Sequence, residues 1–201
     1  MVANRIPERR PATVEDLDKV PPTMRAEIID GVLYTSPRPA GAHALGQIGI
    51  AYAVFDAVKR GGGGGPSGWW ILAEPGIACG GSPEFSPDLA GWRRERMPVV
   101  PRRGRIPLAP DWLCEVLSPT TRRYDHLVKR AFYARIGVTW LWYVDPEAKT
   151  VAVSRLVDGH WLEEGIYGGE EKVALAPFAE VDIDLANWWL PDEADVDGDD
   201  P

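Results

Sequence analysis

Two acidic residues stand where acids are costly. Asp88 follows Pro87 at the end of a predicted strand, and Glu115 is the one charge inside the apolar stretch Trp112-Leu113-Cys114-Glu115-Val116-Leu117. A carboxylate buried in that way costs several kcal/mol unless it is paired or bound to a metal. Two neighbouring strands could present both carboxylates to one divalent ion. The donor type suits Mg2+ or Mn2+, hard cations that prefer carboxylate, carbonyl and water oxygens. Glu115 paired with an arginine would satisfy the same residue without chemistry, and spacing alone leaves both readings open.

Other side chains could assist. His43 could bind a metal or carry a proton near neutral pH, or simply cap the helix that it opens. Lys129 lies four residues after Asp125 and, on a helix, could pair with it in solvent. Arg93 and Arg94 follow Asp88, and Arg122 and Arg123 follow Glu115, so basic groups flank both acids. They could hold a phosphate backbone, or be ordinary solvated faces. His126 is expected on an exposed helix face, and Trp140 and Trp142, alternating on one strand, are expected in the core.

The elements that must position these residues can be read from the sequence. Thr13 caps a short helix that Pro21-Pro22 stops. Asp30-Gly31 joins strands at 26–29 and 32–34 in a tight hairpin. From about 42 to 59, Leu45, Ile48, Tyr52, Phe55 and Val58 recur at helical spacing and predict an amphipathic helix with that face inward. The glycine run Gly61 to Gly65 has the composition of a phosphate loop but lacks the lysine and hydroxyl residue that one needs, so a flexible connector is expected. Strands are predicted over 69–73, 76–79 and 84–90, with Asp88 near the end of the last. A buried central strand at 111–117 is followed by a helix over 124–136 with Leu127, Val128, Ala131 and Phe132 inward, ended by Gly137. The strand at 139–144 returns from that crossover. Turns at Asp145-Pro146 and Asp158-Gly159 then make a C-terminal antiparallel meander.

Length and composition bound the rest. With 201 residues, 45% of them hydrophobic, the chain supports one well-buried core. The expected layout is an N-terminal arm at 1–12, one domain at 13–190 and a disordered acidic tail at 191–201. The net charge of −8 is mostly the tail: without its six acids, 24 acids face 22 bases. The body is nearly neutral and does not exclude a polyanionic partner. No apolar run is long enough for a membrane span, so a cytoplasmic protein is expected. Cys79 and Cys114 lack metal-site or disulfide spacing and read as small apolar residues.

One ordered set of residues resembles a known family. Glu27-Ile28-Ile29-Asp30-Gly31, His43, Pro87-Asp88, Glu115-Val116-Leu117-Ser118-Pro119, Asp125, Lys129, Tyr133, Gly137-Val138 and Trp140 to Pro146 together are similar to the Uma-two family of restriction-endonuclease-like proteins. The likeness spans roughly 13–190. It implies an α/β (α+β) fold of the PD-(D/E)XK superfamily, a mixed β-sheet flanked by helices. It also implies a Mg2+-dependent (or Mn2+-dependent) endonuclease acting on DNA. On that pattern Asp88 and Glu115 are the metal-binding acids, the backbone carbonyl of Val116 is a third ligand, and Glu27 contributes a further acid.

The pattern's lysine does not match. It should stand two residues after the second acid, where this chain has the apolar Leu117. Lys129, one crossover later, is the natural substitute, since a long flexible stem could reach the same cleft. The rival expectation is a catalytically inactive nuclease fold used for nucleic-acid binding or protein assembly. Glycoside hydrolysis by the two carboxylates would instead need them free of metal and several ångströms apart. A homodimer is expected from the resemblance and from exposed hairpin edges.

Overall fold

The computed structural model describes residues 10–38, 41–60 and 68–190. The connector at 61–67, most of the N-terminal arm and the acidic tail lie outside the described residues. In chain order the elements are helix α1 (Val14–Leu17), hairpin β1 (Met24–Ile29) and β2 (Val32–Pro37), helix α2 (Gly41–Arg60), and strands β3 (Trp69–Ala73), β4 (Leu89–Arg93) and β5 (Trp112–Val116). One continuous helical rod follows, made of α3 (Arg122–Tyr124), a π-helical turn (Asp125–Lys129) and α4 (Arg130–Arg135). Strands β6 (Trp140–Asp145), β7 (Thr150–Val157) and β8 (His160–Gly168) come next, then the short pair β9 (Lys172–Val173) and β10 (Ile183–Asp184) and a 3-10 turn (Ala186–Trp188). Asp30 and Gly31 both have positive φ, as the two-residue turn between β1 and β2 requires.

The main sheet runs β3-β4-β5-β6-β7-β8, parallel only between β5 and β6 and antiparallel elsewhere. The parallel pair encloses the predicted crossover, and β6-β7-β8 is the predicted meander. Side-chain alternation along β5 sends Trp112, Cys114 and Val116 into the core under α2 and Leu113 and Leu117 into the core under the helical rod. Glu115 is therefore forced onto the rod's side of the sheet.

Three expectations need correction. The strand predicted over 84–90 begins only at Leu89, so Asp88 precedes a strand instead of ending one. Pro83 and Pro87 cannot donate to a ladder, and Glu84 and Phe85 make only isolated bridges; Ile77, from the strand predicted over 76–79, does likewise.

The helix α2 is present, but the face chosen from its periodicity is not the buried one. Ile50, Val54 and Ala57 point inward, Val58 is partly covered, and Leu45, Ile48, Tyr52 and Phe55 are exposed. Glycines select that face: a Cβ at Gly49 would meet the Asn187 carbonyl oxygen at 2.9 Å, so the helix can lie close to 186–188 only with its small residues toward that turn.

Finally, Leu127 and Ala131 of the rod face solvent while Val128, Lys129, Phe132 and Tyr133 face inward. The π-helical turn inserts an extra residue and rotates the face that plain helical spacing predicts.

Candidate functional site

Two strands bring the acids together. Leu89 pairs with Cys114 in the antiparallel β4-β5 ladder, and extending that register by one residue sets Asp88 opposite Glu115. Both are 2% exposed and on the side of the sheet that the helical rod covers. They line a cleft of about 740 Å³ that Glu27, His43, Lys129 and Arg123 also border.

Asp88 is held by three donors from three elements. Its Oδ1 lies 2.8 Å from Arg25 Nη1 on β1. Its Oδ2 lies 3.1 Å from His43 Nε2 in the first turn of α2 and accepts the Val116 amide at 2.8 Å. The Asp88 carbonyl accepts from Gln47 Nε2 at 2.8 Å and from the Glu74 amide at 3.0 Å. Burial pushes the carboxyl up, but the His43 hydrogen bond and the charges of His43, Arg25 and Lys129 overcome this and hold it well below the usual range.

Glu115 is held differently. Its Oε1 accepts from Tyr133 Oη and from Lys129 Nζ, the latter at 3.1 Å. Lys129 is shared: its Nζ also lies 3.3 Å from Glu27 Oε1 and 3.5 Å from Asp125 Oδ1. Burial, only partly countered by Lys129 and reinforced by Asp88, Asp125 and Glu27, pushes Glu115 up to about 8. Burial would lower Lys129, but Glu115, Glu27, Asp125 and Asp88 outweigh it and raise the ammonium well above its usual range. Lys129 is thus a fixed cation. The position that the superfamily pattern gives to lysine holds the buried side chain of Leu117.

Glu27 is in the cleft, with Oε2 3.4 Å from the Ser86 amide. Arg123 is on the cleft rim, whereas Arg122 is engaged with Asp145 at 2.7 Å. Arg93 and Arg94 are not brought to the site. Asp88 precedes β4 and they lie at its far end, roughly 17 Å away at about 3.3 Å per residue, stacked on Trp69 and Trp70. His126 is exposed against the Tyr143 ring, Trp142 is buried, and Trp140 is half-buried. Three contributors were not singled out for the site from sequence: Arg25, Gln47 and Tyr133. Each lies one structural period from a residue that was, two before Glu27 on a strand, four after His43 on a helix and four after Lys129.

The donor chemistry bears on a metal. Among the described residues no three His, Cys, Asp or Glu side chains converge as a ready-made ligand set. Magnesium does not need one, because it keeps several waters and is commonly held by one or two carboxylates. The cleft also carries surplus negative charge even with Glu115 protonated: Glu27, Asp88 and Asp125 face two permanent cations, Arg25 and Lys129. A hard divalent ion fits both the oxygen donors and that imbalance.

The sequence profile of the Uma2 family, described as "Putative restriction endonuclease", matches residues 12–186. A crystal structure at 1.96 Å of a "putative nuclease belonging to DUF820" from Anabaena variabilis ATCC 29413 superposes with a TM-score of 0.66. That alignment covers 89% of this chain and 97% of the other at 24% sequence identity, which speaks for the fold. No curated protein matches. In the described residues no helix is long and apolar enough to cross a membrane. With a profile match over most of its length and a nuclease-like sheet beneath the paired acids, the chain belongs to the Uma2 family of restriction-endonuclease-like proteins.

Proposed function

We propose that the protein is a Mg2+-dependent endonuclease that hydrolyses DNA phosphodiester bonds in the cleft between Asp88, Glu115 and Lys129. One observation carries this reading: Lys129, delivered by the helical rod, places its ammonium 3.1 Å from Glu115, so the constellation of two acids and a lysine is complete although Leu117 fills the usual lysine position. Asp88, Glu115 and the Val116 carbonyl would hold the ion, with Mn2+ as a substitute. When bound, Mg2+ acidifies a water and stabilises charge on the phosphate oxygens.

The protein's own residues divide the remaining work. Arg25 and His43 keep Asp88 ionised and aimed. Lys129 stays protonated among its acids, so it donates to an attacking water or a phosphate oxygen and does not act as the base. Glu27 and Asp125 hold that ammonium in place from the other side. Arg123 on the rim receives the phosphate backbone, giving salt-dependent affinity that is largely blind to sequence.

Plasmid nicking with Mg2+ and Mn2+ tests the proposal. Wild type should cleave, and Asp88→Ala and Glu115→Ala should fall to background. Persistent cleavage in either variant removes this cleft as the active site. An inert wild type that binds duplex DNA with a steep salt slope would instead make the fold a binding module.

A further inference from the structure

Helix α2 is apolar on two sides. Ile50, Val54 and Ala57 are covered by the core, while Leu45, Ile48, Tyr52 and Phe55 are 45%, 67%, 74% and 51% exposed. The fifteen residues from Gly41 to Phe55 contain no Asp, Glu, Lys or Arg, although a helix facing water normally carries charge on its outer side. Isolated exposed apolar residues need no explanation, but these four, spaced three, four and three apart, form one continuous ridge.

Residues 1–9, 61–67 and 191–201 bring little with which to cover it. Residues 61–67 are five glycines, a proline and a serine, and 191–201 carries six acids. Residues 1–9 bring only Val2, Ile6 and the initial Met as large apolar side chains. The ridge does fit itself, because its spacing reads the same in both directions. A two-fold axis midway between Ile48 and Tyr52 sets Ile48 of one copy against Tyr52 of the other, and Leu45 against Phe55. Smaller side chains then meet larger ones. A parallel pairing would instead stack Lys59 on Lys59 and Arg60 on Arg60, which the antiparallel pairing separates. With aromatic side chains contributing about 150–250 Å² each when fully exposed, the ridge offers roughly 500 Å² per copy. Two copies thus bury about 1,000 Å², the lower bound for a specific interface. The Lys59 stem, already lying over Phe55, extends the rim.

We propose that α2 is the interface of a two-fold symmetric homodimer in which the α2 helices pack antiparallel through Leu45, Ile48, Tyr52 and Phe55. The inference stands apart from the nuclease reading, but it has a bearing on the cleft. His43 and Gln47, which hold Asp88, belong to the first turns of the same helix, so dimer contact secures one wall of each site.

Sedimentation of the full chain over about 1–100 μM should show a reversible dimer. Ile48→Glu with Tyr52→Glu should weaken association about a hundredfold with an unchanged circular dichroism spectrum. Ile166→Glu, on the exposed side of β8, should leave the dimer intact. In a Cys79→Ser background, oxidation should cross-link Leu45→Cys/Phe55→Cys but not Ile48→Cys alone. A monomeric wild type, with or without lipid vesicles or other proteins bound at the ridge, overturns the proposal. So does a double-glutamate variant that remains dimeric, or cross-linking through Ile48→Cys alone. None of these readouts depends on DNA cleavage, so the two proposals fail separately.

Discussion

Asp88, just before β4, and Glu115, on β5, face each other and are equally buried, yet they are driven in opposite directions, Asp88 toward an anion and Glu115 toward a carboxyl that holds its proton up to about 8. Desolvation is the largest single influence on both, so it cannot account for the difference. Partners do. The N-terminal elements give Asp88 an arginine and a histidine and β5 gives it a backbone amide, whereas Glu115 shares one ammonium with two other acids. Pairs of acids whose surroundings push them apart in this way are a recurrent feature of catalytic sites.

The largest effect should come from removing the shared cation. Lys129→Ala leaves Glu27 and Asp125 beside the Glu115 carboxyl without a counter-charge, which should cost about 3–5 kcal/mol in urea unfolding. Adding Asp125→Asn should recover part of it. A loss below about 1 kcal/mol, within the range of an exposed pair, would mean that Lys129 is not the keystone of the Glu115 side.

The two acids should also separate by pH. In metal-free protein the unfolded chain releases the Glu115 proton near 4.5, while the folded chain keeps it until about 8. This contribution is therefore fully present below about 4.5 and is lost as pH rises toward 8. Asp88 works the other way, since its contribution is present above its ordinary value of 3.8 and lost only as pH falls through its depressed folded value. Melting temperatures in EDTA between pH 5 and 8 should decline for wild type and flatten for Glu115→Gln. An equal slope in both proteins would contradict the assignment.

The mildest test concerns support of Asp88. His43→Ala should weaken Mn2+ binding about 10–100-fold, as loss of a residue that orients a ligand does, with secondary structure unchanged. Unaltered Mn2+ affinity would show that Arg25 and the Val116 amide suffice.

Much of this arrangement is legible in sequence because its signals are local. The Asp30-Gly31 turn, the apolar strands around Glu115 and Trp142, and the crossover between them each follow from a few adjacent residues. What escapes is set by distant geometry. Arg25 meets Asp88 across 63 positions, and no spacing rule links them. Both faces of α2 show helical periodicity, and only the close approach at Gly46 and Gly49 to residues 187 and 188 selects the inner one. Asp88 and Glu115 stood out because an acid amid apolar neighbours demands a partner. The identity of Lys129 as that partner required the rod's position above the sheet.

The π-helical turn at Asp125–Lys129 marks where the rod absorbs a change in chain length. A regular helix advances about 100° per residue, and the wider π turn takes up one extra residue without that swing, so deleting a residue between Asp125 and Lys129 would restore α geometry and leave both flanks nearly in place. Asp125 and Lys129 would then stand three positions apart, still on one face of the rod. Substitutions change the chemistry of this cleft, whereas the turn lets the rod gain or lose one residue without re-aiming Lys129 or Tyr133, so chain length and residue identity act on the site separately.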